Sequence, residues 1–410
     1  MSDEPNALAG LRVIDASGEL AAYAARLLGD LGAEVIRVEP PTGSPVRMRS
    51  PLVSEPHGRG TSAFDLFVNA GKLSVTLDLG HADGRSLLVR LAEQADILLE
   101  TFEPEWADAV GLSPSELRRV NPRLIHVSVT PFGRSLSAAA NDDDLTILAA
   151  GGLLHLGGYR DAEPVAAYGG QSRFAASLFA TTAALIGVLD RERTGQGRWV
   201  DVSAQECVAQ ALEDSVATYD LTGEVRERLG SEPREAGSGI YRCADGYVAM
   251  VAGRLGTARA WQSLIDWLVK EEVDGATELL DPWWSQLPNR QSERGISRFG
   301  EVFGRFTAGR PRADLYAEAQ RRGIALSPVN DVAAVLADAQ LAKRGFWVLV
   351  DDPQAGRTMT YPGPPYRLSA TPARAARPAP RPGEHNVAVL RDRLGLTSDQ
   401  YEQLLEAGVV

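Results

Sequence analysis

The residues with the clearest potential for chemistry lie in two short stretches in the middle of the chain. Asp143 and Asp144 precede one apolar segment, and a glycine pair, Gly169 and Gly170, precedes another. Carboxylates can act as bases, acids or nucleophiles, and a glycine-rich turn before a helix can offer N–H groups to a ligand. Both features also have structural interpretations, since aspartate is a favoured helix N-cap and the glycines can form a simple turn before a core helix.

The glycine pair is followed by about twenty residues rich in Ala, Leu and Phe, a run that predicts a buried helix. The Thr-Gly-Gln-Gly sequence at 194–197 ends this helix, and residues 199–203 predict a strand. No Asp or Glu occurs between Glu163 and Asp190. The predicted helix therefore begins without a carboxylate of its own.

The composition is that of an ordinary globular protein. The chain has 410 residues, 44% hydrophobic and 23% charged, which is enough for two domains. A net charge of −12 argues against nucleic-acid partners and anionic membranes. Two cysteines and five scattered histidines assemble no metal site and fit a reducing cytoplasm. The first residues do not read as a signal peptide, and no apolar run is long enough for a membrane span.

The first forty residues predict a strand–helix–strand unit. Residues 11–15 and 34–39 are short apolar strands, and residues 20–31 form a helix with an Ala/Leu face. Such a unit typically forms part of a parallel sheet, with a right-handed crossover between the two strands. Because no G-x-G-x-x-G follows the first strand, the dinucleotide-binding fingerprint is absent.

Two later segments carry further strand signals. The pattern of residues 64–78 predicts a strand or a hairpin. Residues 239–249 predict a β-hairpin with its turn at Asp245-Gly246. Residues 261–322 are mostly helical in pattern. The hairpin and these helices predict a smaller α+β domain.

Several motifs in this order resemble those of family III CoA-transferases (the CaiB/BaiF family), which include formyl-CoA transferase and 2-methylacyl-CoA racemase. Residues 31–39 match the family's L-G-A-x-V-I-x-V-E strand, and residues 69–78 match N-x-x-K-x-S-x-x-L-D. Residues 101–104 resemble E-N-F-x-P, and residues 383–385 match the closing Gly-Glu-His. The resemblance extends from about residue 8 to the end of the chain.

The resemblance implies an α/β fold. A large Rossmann-like domain with a parallel sheet is built from both chain ends, residues 1–222 and 331–410. A linker and a small α+β domain occupy residues 223–330. In the family, two such chains form an interlocked homodimer.

The resemblance also implies a site, and this chain departs from it. Family transferases carry an acylated aspartate at the start of the helix after the glycine pair, where this chain has Arg173, or Phe174 if the alignment shifts by one. A lysine and an arginine that hold the CoA nucleotide are replaced by Gly80 and Ala109. An arginine stays protonated and cannot form the mixed anhydride, so the resemblance predicts altered or lost transfer chemistry.

The remaining site residues are carried over from the family motifs. The predicted CoA contacts are Leu20, Lys72, Leu77, Thr101 and Phe102. The predicted substrate loops are Gly169, Gly170, Gly237, Ser238 and Gly239. In family racemases a His-Asp pair removes and returns an α-proton, and Asp143 and Asp144 lie at that pair's place.

Three functional hypotheses follow. The first is an acyl-group-handling enzyme, nominally a CoA-transferase, with altered or lost acyl-aspartyl chemistry. The second is an epimerase like 2-methylacyl-CoA racemase that uses Asp143 and Asp144. The third is a non-catalytic partner subunit. In each case the expected ligand is a small acyl compound or carboxylic acid, with CoA or acyl-CoA as substrate, no tightly bound cofactor and no metal.

Overall fold

The computed structural model describes residues 6–53, 61–135, 143–252, 258–352, 356–373 and 377–410. The chain forms two compact units. The first comprises Met1–Gly157, Pro164–Arg226 and Gln340–Val410, and the second comprises Gly158–Glu163 and Glu227–Ala339. Both ends of the chain therefore contribute to the first unit.

Thirteen strands occur in the described residues. In chain order they are β1 (Arg12–Ala16), β2 (Glu34–Glu39), β3 (Leu52–Val53), β4 (Thr61–Ser62), β5 (Leu73–Thr76), β6 (Ile97–Glu100), β7 (Ile125–Thr130), β8 (Trp199–Ser203), β9 (Ser238–Cys243), β10 (Gly246–Val251), β11 (Ala325–Pro328), β12 (Trp347–Asp352) and β13 (Arg357–Pro362).

The α-helices are α1 (Ala22–Asp30), α2 (Ala63–Val68), α3 (Ala82–Glu93), α4 (Pro104–Ala109), α5 (Pro114–Val120), α6 (Asp144–Ala150), α7 (Leu153–Leu156), α8 (Gln171–Thr194), α9 (Ala204–Ala209), α10 (Glu213–Thr222), α11 (Ala258–Lys270), α12 (Leu287–Gln291), α13 (Glu293–Ala308), α14 (Arg312–Arg322), α15 (Val332–Leu336), α16 (Ala339–Lys343) and α17 (Ser398–Glu406). Short 3₁₀ or π turns occur at Pro45–Met48, Gln210–Leu212, Ala276–Leu280, Pro282–Ser285 and Val387–Arg391.

Six strands form one parallel sheet in the order β5-β2-β1-β6-β7-β8. β6 and β7 are buried along their whole length, and separate hydrophobic cores cover the two faces of the sheet. That arrangement is typical of parallel sheets. The order reverses between β1 and β6. The α/β fold predicted from the sequence is confirmed.

Helix α8 packs on β7 and on α1 through small side chains. A Cβ on Gly187 would lie 2.8 Å from Cγ2 of Ile125, so this close approach requires glycine. The helix also ends as predicted, with Gly195 in the left-handed conformation. By length and composition α8 is the one described helix that could cross a membrane, a test that core helices of globular proteins also pass.

The prediction of strand or hairpin for residues 64–78 is wrong for its first half. Ala63–Val68 is the helix α2, and only Leu73–Thr76 is a strand. The hydroxyl of Ser62 accepts a hydrogen bond of 3.2 Å from the N–H of Asp65 and caps the helix. This local cap overrides the strand preference of the Phe- and Val-rich segment.

The second unit contains an antiparallel sheet in the order β11-β10-β9, packed on helices by an aromatic core. The core includes Trp261, Trp267, Trp284, Phe299, Phe303 and Phe306. The predicted hairpin is present, but its turn consists of Ala244 and Asp245, one residue earlier than predicted. The reason is that Gly246, at φ 146°, already pairs with Cys243 as part of β10.

Candidate functional site

The candidate site lies where the carboxyl ends of β1 and β6 meet, at the reversal of strand order. The N–H of Gly18, in the loop after β1, donates a hydrogen bond of 2.8 Å to Oγ1 of Thr101, in the loop after β6. This bond ties the two loops together. Open α/β sheets bind ligands in the crevice outside such a reversal, so Thr101 and Phe102 lie at the edge of the sheet where ligands bind.

The start of α8 depends on its two glycines. Gly169 and Gly170 have φ values of 97° and 71°, and a Cβ on Gly170 would lie 2.8 Å from Nη1 of Arg173. Because Gly170 has no side chain to cap the helix, Asp144 does so. Its Oδ1 accepts hydrogen bonds from the N–H (2.8 Å) and the hydroxyl (2.6 Å) of Ser172.

Arg173 belongs to an ion-pair cluster of three side chains that come from three segments of the chain. Its Nη2 lies 2.9 Å from Oε2 of Glu19, in the loop after β1, and Oε1 of Glu19 pairs with Nη1 of Arg49. The Arg49 guanidinium lies 4.5 Å over the ring of Phe64. The side chain of Arg173 is 12% exposed, against 28% for Arg49 and 30% for Glu19. This arginine–glutamate cluster, Arg49–Glu19–Arg173, carries one more positive than negative charge.

Phe174, the other residue that the family alignment offers for the aspartate, packs against an aromatic neighbour. Its ring meets that of Tyr23 edge-on at 5.0 Å between centroids. Tyr23 also stacks on Phe67 at 5.7 Å. Neither Arg173 nor Phe174 supplies a carboxylate, and the carboxylate that contacts Arg173 comes from Glu19.

The structure separates the roles of the two adjacent aspartates. Asp143 is exposed and caps α6, where its Oδ1 accepts a hydrogen bond of 2.9 Å from the N–H of Leu145. Asp144 points to Ser172 at the start of α8. The N-cap interpretation of Asp143 is confirmed, and the burial that would let the two carboxylates share a proton is missing at Asp143.

Lys72 is buried and fully engaged within the protein. Its Nζ donates to Oδ2 of Asp15 (2.7 Å), Oδ1 of Asn69 (2.9 Å) and the carbonyl of Ala22 (3.0 Å). Burial, outweighing the attraction of Asp15, lowers the pKa of Lys72 to about 8. All three donors of the ammonium are used here, so in this structure Lys72 braces β1 and α1 and presents no free N–H to a ligand.

Two further predicted CoA contacts have packing roles. Leu77 lies in the core between the sheet and its helices, and Phe102 packs edge-on against Trp106 at 5.4 Å. The backbone carbonyl of Leu20, itself buried, accepts a hydrogen bond of 3.2 Å from the hydroxyl of Ser177 on α8.

A cation does lie beside Gly80, although the family lysine is absent. Nη1 of Arg85 donates to the carbonyls of Leu79 (2.9 Å) and Gly80 (2.8 Å). Ala109 is the last residue of α4 and offers no charge. At the two positions where the resemblance predicts nucleotide contacts, Gly80 and Ala109, the neighbouring positive group is Arg85 of α3, beside Gly80.

The glycine-containing loop of the second unit leads directly into β9. Gly237 and Gly239 have φ values of 88° and 126°, and Ser238 is the first residue of the strand. The hydroxyl of Ser238 donates a hydrogen bond of 2.9 Å to the carbonyl of Glu235. The carbonyl of Gly237 accepts a hydrogen bond of 2.6 Å from the N–H of Ala252. The loop is therefore held on both sides by hydrogen bonds to backbone carbonyls.

Glu19 and Arg49 are functional candidates that the sequence did not reveal. Each is a single charged residue in a loop, and the contacts that join them to Arg173 are tertiary. The one available signal is that Glu19 closely follows the end of β1, where a ligand crevice is expected. Among the described residues, no group of three His, Cys, Asp or Glu side chains could hold a metal ion.

Comparison with known proteins gives a consistent result over the whole chain. The family model for CoA-transferase family III matches residues 8–386. The chain is 39% identical over 401 residues to the succinyl-CoA:(R)-benzylsuccinate CoA-transferase subunit BbsE of Thauera aromatica, with 97% of each chain covered.

Both subunits of a second enzyme are also similar. The beta subunit of succinyl-CoA–L-malate CoA-transferase of Chloroflexus aurantiacus is 29% identical over 410 residues, with 98% of each chain covered. The alpha subunit is 29% identical over 412 residues, covering 98% of this chain and 92% of that one. Among solved structures, a CaiB/BaiF family protein of Brucella suis superposes with a TM-score of 0.81 at 28% identity, covering 95% of this chain and all of that one (100%).

Proposed function

The chain belongs to CoA-transferase family III, and from that premise we propose that it is one subunit of a heteromeric CoA-transferase for dicarboxylic acids. In this enzyme the chain binds a homologous partner chain. The partner supplies the carboxylate that takes up the acyl group, and this chain does not become acylated.

The arginine–glutamate cluster is the observation that carries this proposal. Transfer through a mixed anhydride needs a carboxylate free to attack the carbonyl carbon of the thioester, so that the anhydride C–O bond forms as the C–S bond breaks and the CoA thiolate leaves. Arg173, which the resemblance puts at the place of the family aspartate, has no carboxylate and cannot form such an anhydride. Glu19 is a carboxylate, but each of its oxygens is held by a different guanidinium. Charge-assisted pairing of this kind stabilises the anion and makes it a weak nucleophile.

The similar proteins support a heteromer of related chains. The relative that is 39% identical is named as a subunit, and both the alpha and the beta subunit of the malate enzyme resemble this chain. We therefore infer that the partner is itself a family III chain, in place of the homodimer expected from the resemblance. The names of these relatives give succinyl-CoA and a second dicarboxylic acid as substrates, and this is the substrate class proposed here.

A surface of α8 is suited to such a partner. The face of α8 opposite the sheet exposes Leu178, Phe179, Ile186 and Leu189. Four large apolar side chains along one helix face are unusual on the surface of a monomer and are typical of interaction sites. A homologous chain that covers this face would remove the apolar stripe from water.

The geometry does not favour the epimerase alternative. A racemase needs an acid and a base that act on opposite faces of one carbon atom. Asp143 is exposed and caps α6, while Asp144 caps α8 through Ser172. With both carboxylates committed to helix caps, they are poorly placed for proton transfer to a shared substrate.

Co-expression with a second family III chain from the same source tests the proposal. The purified full-length chain, the second chain and the complex are each assayed for CoA transfer from succinyl-CoA to dicarboxylic acids. We expect the two chains to co-purify and the complex to be active, while this chain alone transfers no CoA. Transfer by this chain alone at the rate of the complex would refute the subunit role.

A further inference from the structure

Two guanidinium groups converge at the start of α8. A Cβ on Gly170 would lie 2.8 Å from Nη1 of Arg173 and 3.6 Å from Nη2 of Arg49. Cations this close repel one another, and an anion between them offsets the repulsion. Glu19 is that anion, because one of its oxygens contacts each guanidinium.

The surroundings leave the cluster positively charged. Asp144, the other carboxylate described at the start of α8, is bound to the N–H and hydroxyl of Ser172 and so offsets the positive end of the helix. Phe64 lies under the Arg49 guanidinium, and the ring of Phe174, the residue after Arg173, packs edge-on against Tyr23. Low solvent access on the Arg173 side strengthens the attraction for a second anionic group.

A second arginine–glutamate–arginine arrangement in the same chain provides a comparison. Glu34 lies 3.2 Å from Arg12 and 2.6 Å from Arg393, but the two arginines are 34% and 37% exposed. Both arginines are thus more exposed than Arg173, whose side chain is 12% exposed. Of these two arrangements, the cluster at α8 is the one with a largely buried guanidinium, and its glutamate, Glu19, lies in the loop after β1.

We propose that Arg49 and Arg173 form a binding site for the carboxylate of a small organic acid, and that Glu19 is the resident carboxylate which the ligand displaces. The choice of an organic acid as the ligand rests on the proposed function, whereas the ability of the two guanidiniums to bind a carboxylate does not. Glu19 is suited to leave, since its side chain is 30% exposed and can rotate into water without a change in the backbone.

The site is matched to a carboxylate more closely than to a phosphate. Its present occupant is a planar group with two oxygens, and the two guanidiniums each take one of them. A ligand carboxylate reproduces this geometry atom for atom. A tetrahedral phosphate cannot place all of its oxygens in the plane of the resident carboxylate, so at least one charged oxygen would lie outside the two positions that Glu19 now occupies.

The test measures binding of succinate, acetate and inorganic phosphate by isothermal titration calorimetry to the full-length chain with any partner that co-purifies. In Glu19→Gln the resident anion is gone and both guanidiniums remain. We expect this variant to bind succinate at least about tenfold more tightly than the wild type, since hydrogen bonds between charged groups are strong. The gain should vanish in the double variant Glu19→Gln, Arg173→Gln.

Glu34→Gln is the matched control, because it also removes a glutamate from between two arginines, and it should leave succinate affinity unchanged. Thermal melting curves establish that each variant is folded. The site assignment fails if Glu19→Gln gains no affinity, if the gain survives loss of Arg173, if Glu34→Gln gains as much, or if phosphate binds as tightly as succinate.

This outcome can be separated from that of the proposed function. If succinate does not bind but the complex with a homologous chain transfers CoA, only the carboxylate site is wrong. If succinate binds as expected but this chain transfers CoA by itself, the subunit role is wrong and Arg49 and Arg173 still bind a carboxylate.

Discussion

Glu39, at the end of β2, is a buried carboxylate held by ion pairs. Arg47 donates two hydrogen bonds to it, at 2.7 and 2.6 Å, and the hydroxyl of Ser74 donates a third at 2.7 Å. Burial alone would raise the pKa of Glu39, but the hydrogen bonds from Arg47, the charges of Arg37 and Arg47, and the N–H of Ser44 lower it below its ordinary value. The carboxylate thereby fixes the loop after β2 next to the candidate site.

This network makes stability depend on acid pH. A carboxyl group whose pKa is lower in the folded state stabilises the fold fully above about pH 5, and the stabilisation is lost as the pH falls further. Glu39→Gln should reduce the free energy of unfolding by about 3 kcal/mol at pH 7. The difference from the wild type should shrink as the pH falls, as measured by urea denaturation at a series of pH values from neutral to acid.

Glu301→Gln is the control for this prediction. Glu301 is an exposed carboxylate paired with Arg298 at 2.8 Å, and exposed pairs contribute little. Its removal should change stability only slightly at every pH. A Glu39→Gln difference that stays constant down to acid pH would contradict the role of an ionised Glu39.

At the scale of residues, the sequence shows which residue types a segment lacks, but it does not show which tertiary contacts the residues present will make. The absence of an acid from the start of α8 can be read directly, because Glu163 and Asp190 bound a stretch without carboxylates. The pairing of Arg173 with Glu19 and Arg49 cannot, because it depends on how three separate segments meet. The engagement of Lys72 with Asp15 is hidden for the same reason.

At the scale of elements, helix α8 has a buried face and an exposed face, and the two differ in the side-chain sizes that they can accommodate. Its buried face needs small residues to approach β7, and Gly187 meets Ile125 with no room for a methyl group. Gly187→Ala should therefore lower the free energy of unfolding by about 1–3 kcal/mol, as overpacked cores do. Chemical denaturation with a fluorescence or circular dichroism readout measures this change.

Gly300, in the middle of α13, is the matched control. It is also a helical glycine, but a Cβ there would meet nothing within 4 Å. Gly300→Ala should stabilise the protein by about 0.5–1 kcal/mol, since alanine is the better helix former. If both substitutions changed stability in the same direction, the close packing of α8 on β7 would not be the cause.

Elements with strong local signals are predicted well from the sequence. β8 has the predicted bounds of 199–203, and the glycine after Thr194 ends α8 as expected. The segment at 64–78 is mispredicted in part because a single serine cap, Ser62, outweighs a strand-like composition. The hairpin is found but its turn is displaced by one residue, since its register is set by pairing between β9 and β10.

The whole molecule has the fold of its family, and the segment between Glu163 and Asp190, where α8 begins, contains no carboxylate. The parallel sheet, its reversal between β1 and β6 and the three-stranded sheet of the second unit are all present. Family membership can be predicted from the order of motifs, because those motifs build the fold. The proposed division of labour between this chain and a partner cannot be predicted in this way, because it depends on a second sequence.

The most direct test of the proposed division is to find which chain carries the acyl group. The complex of this chain with its homologous partner is mixed with succinyl-CoA, quenched, digested and analysed by mass spectrometry for a succinyl adduct on a carboxylate side chain. We expect the adduct on the partner chain and none on Glu19 or any other residue of this chain. A succinyl adduct on Glu19 would contradict the account, because this chain would then have kept acyl transfer through a different carboxylate.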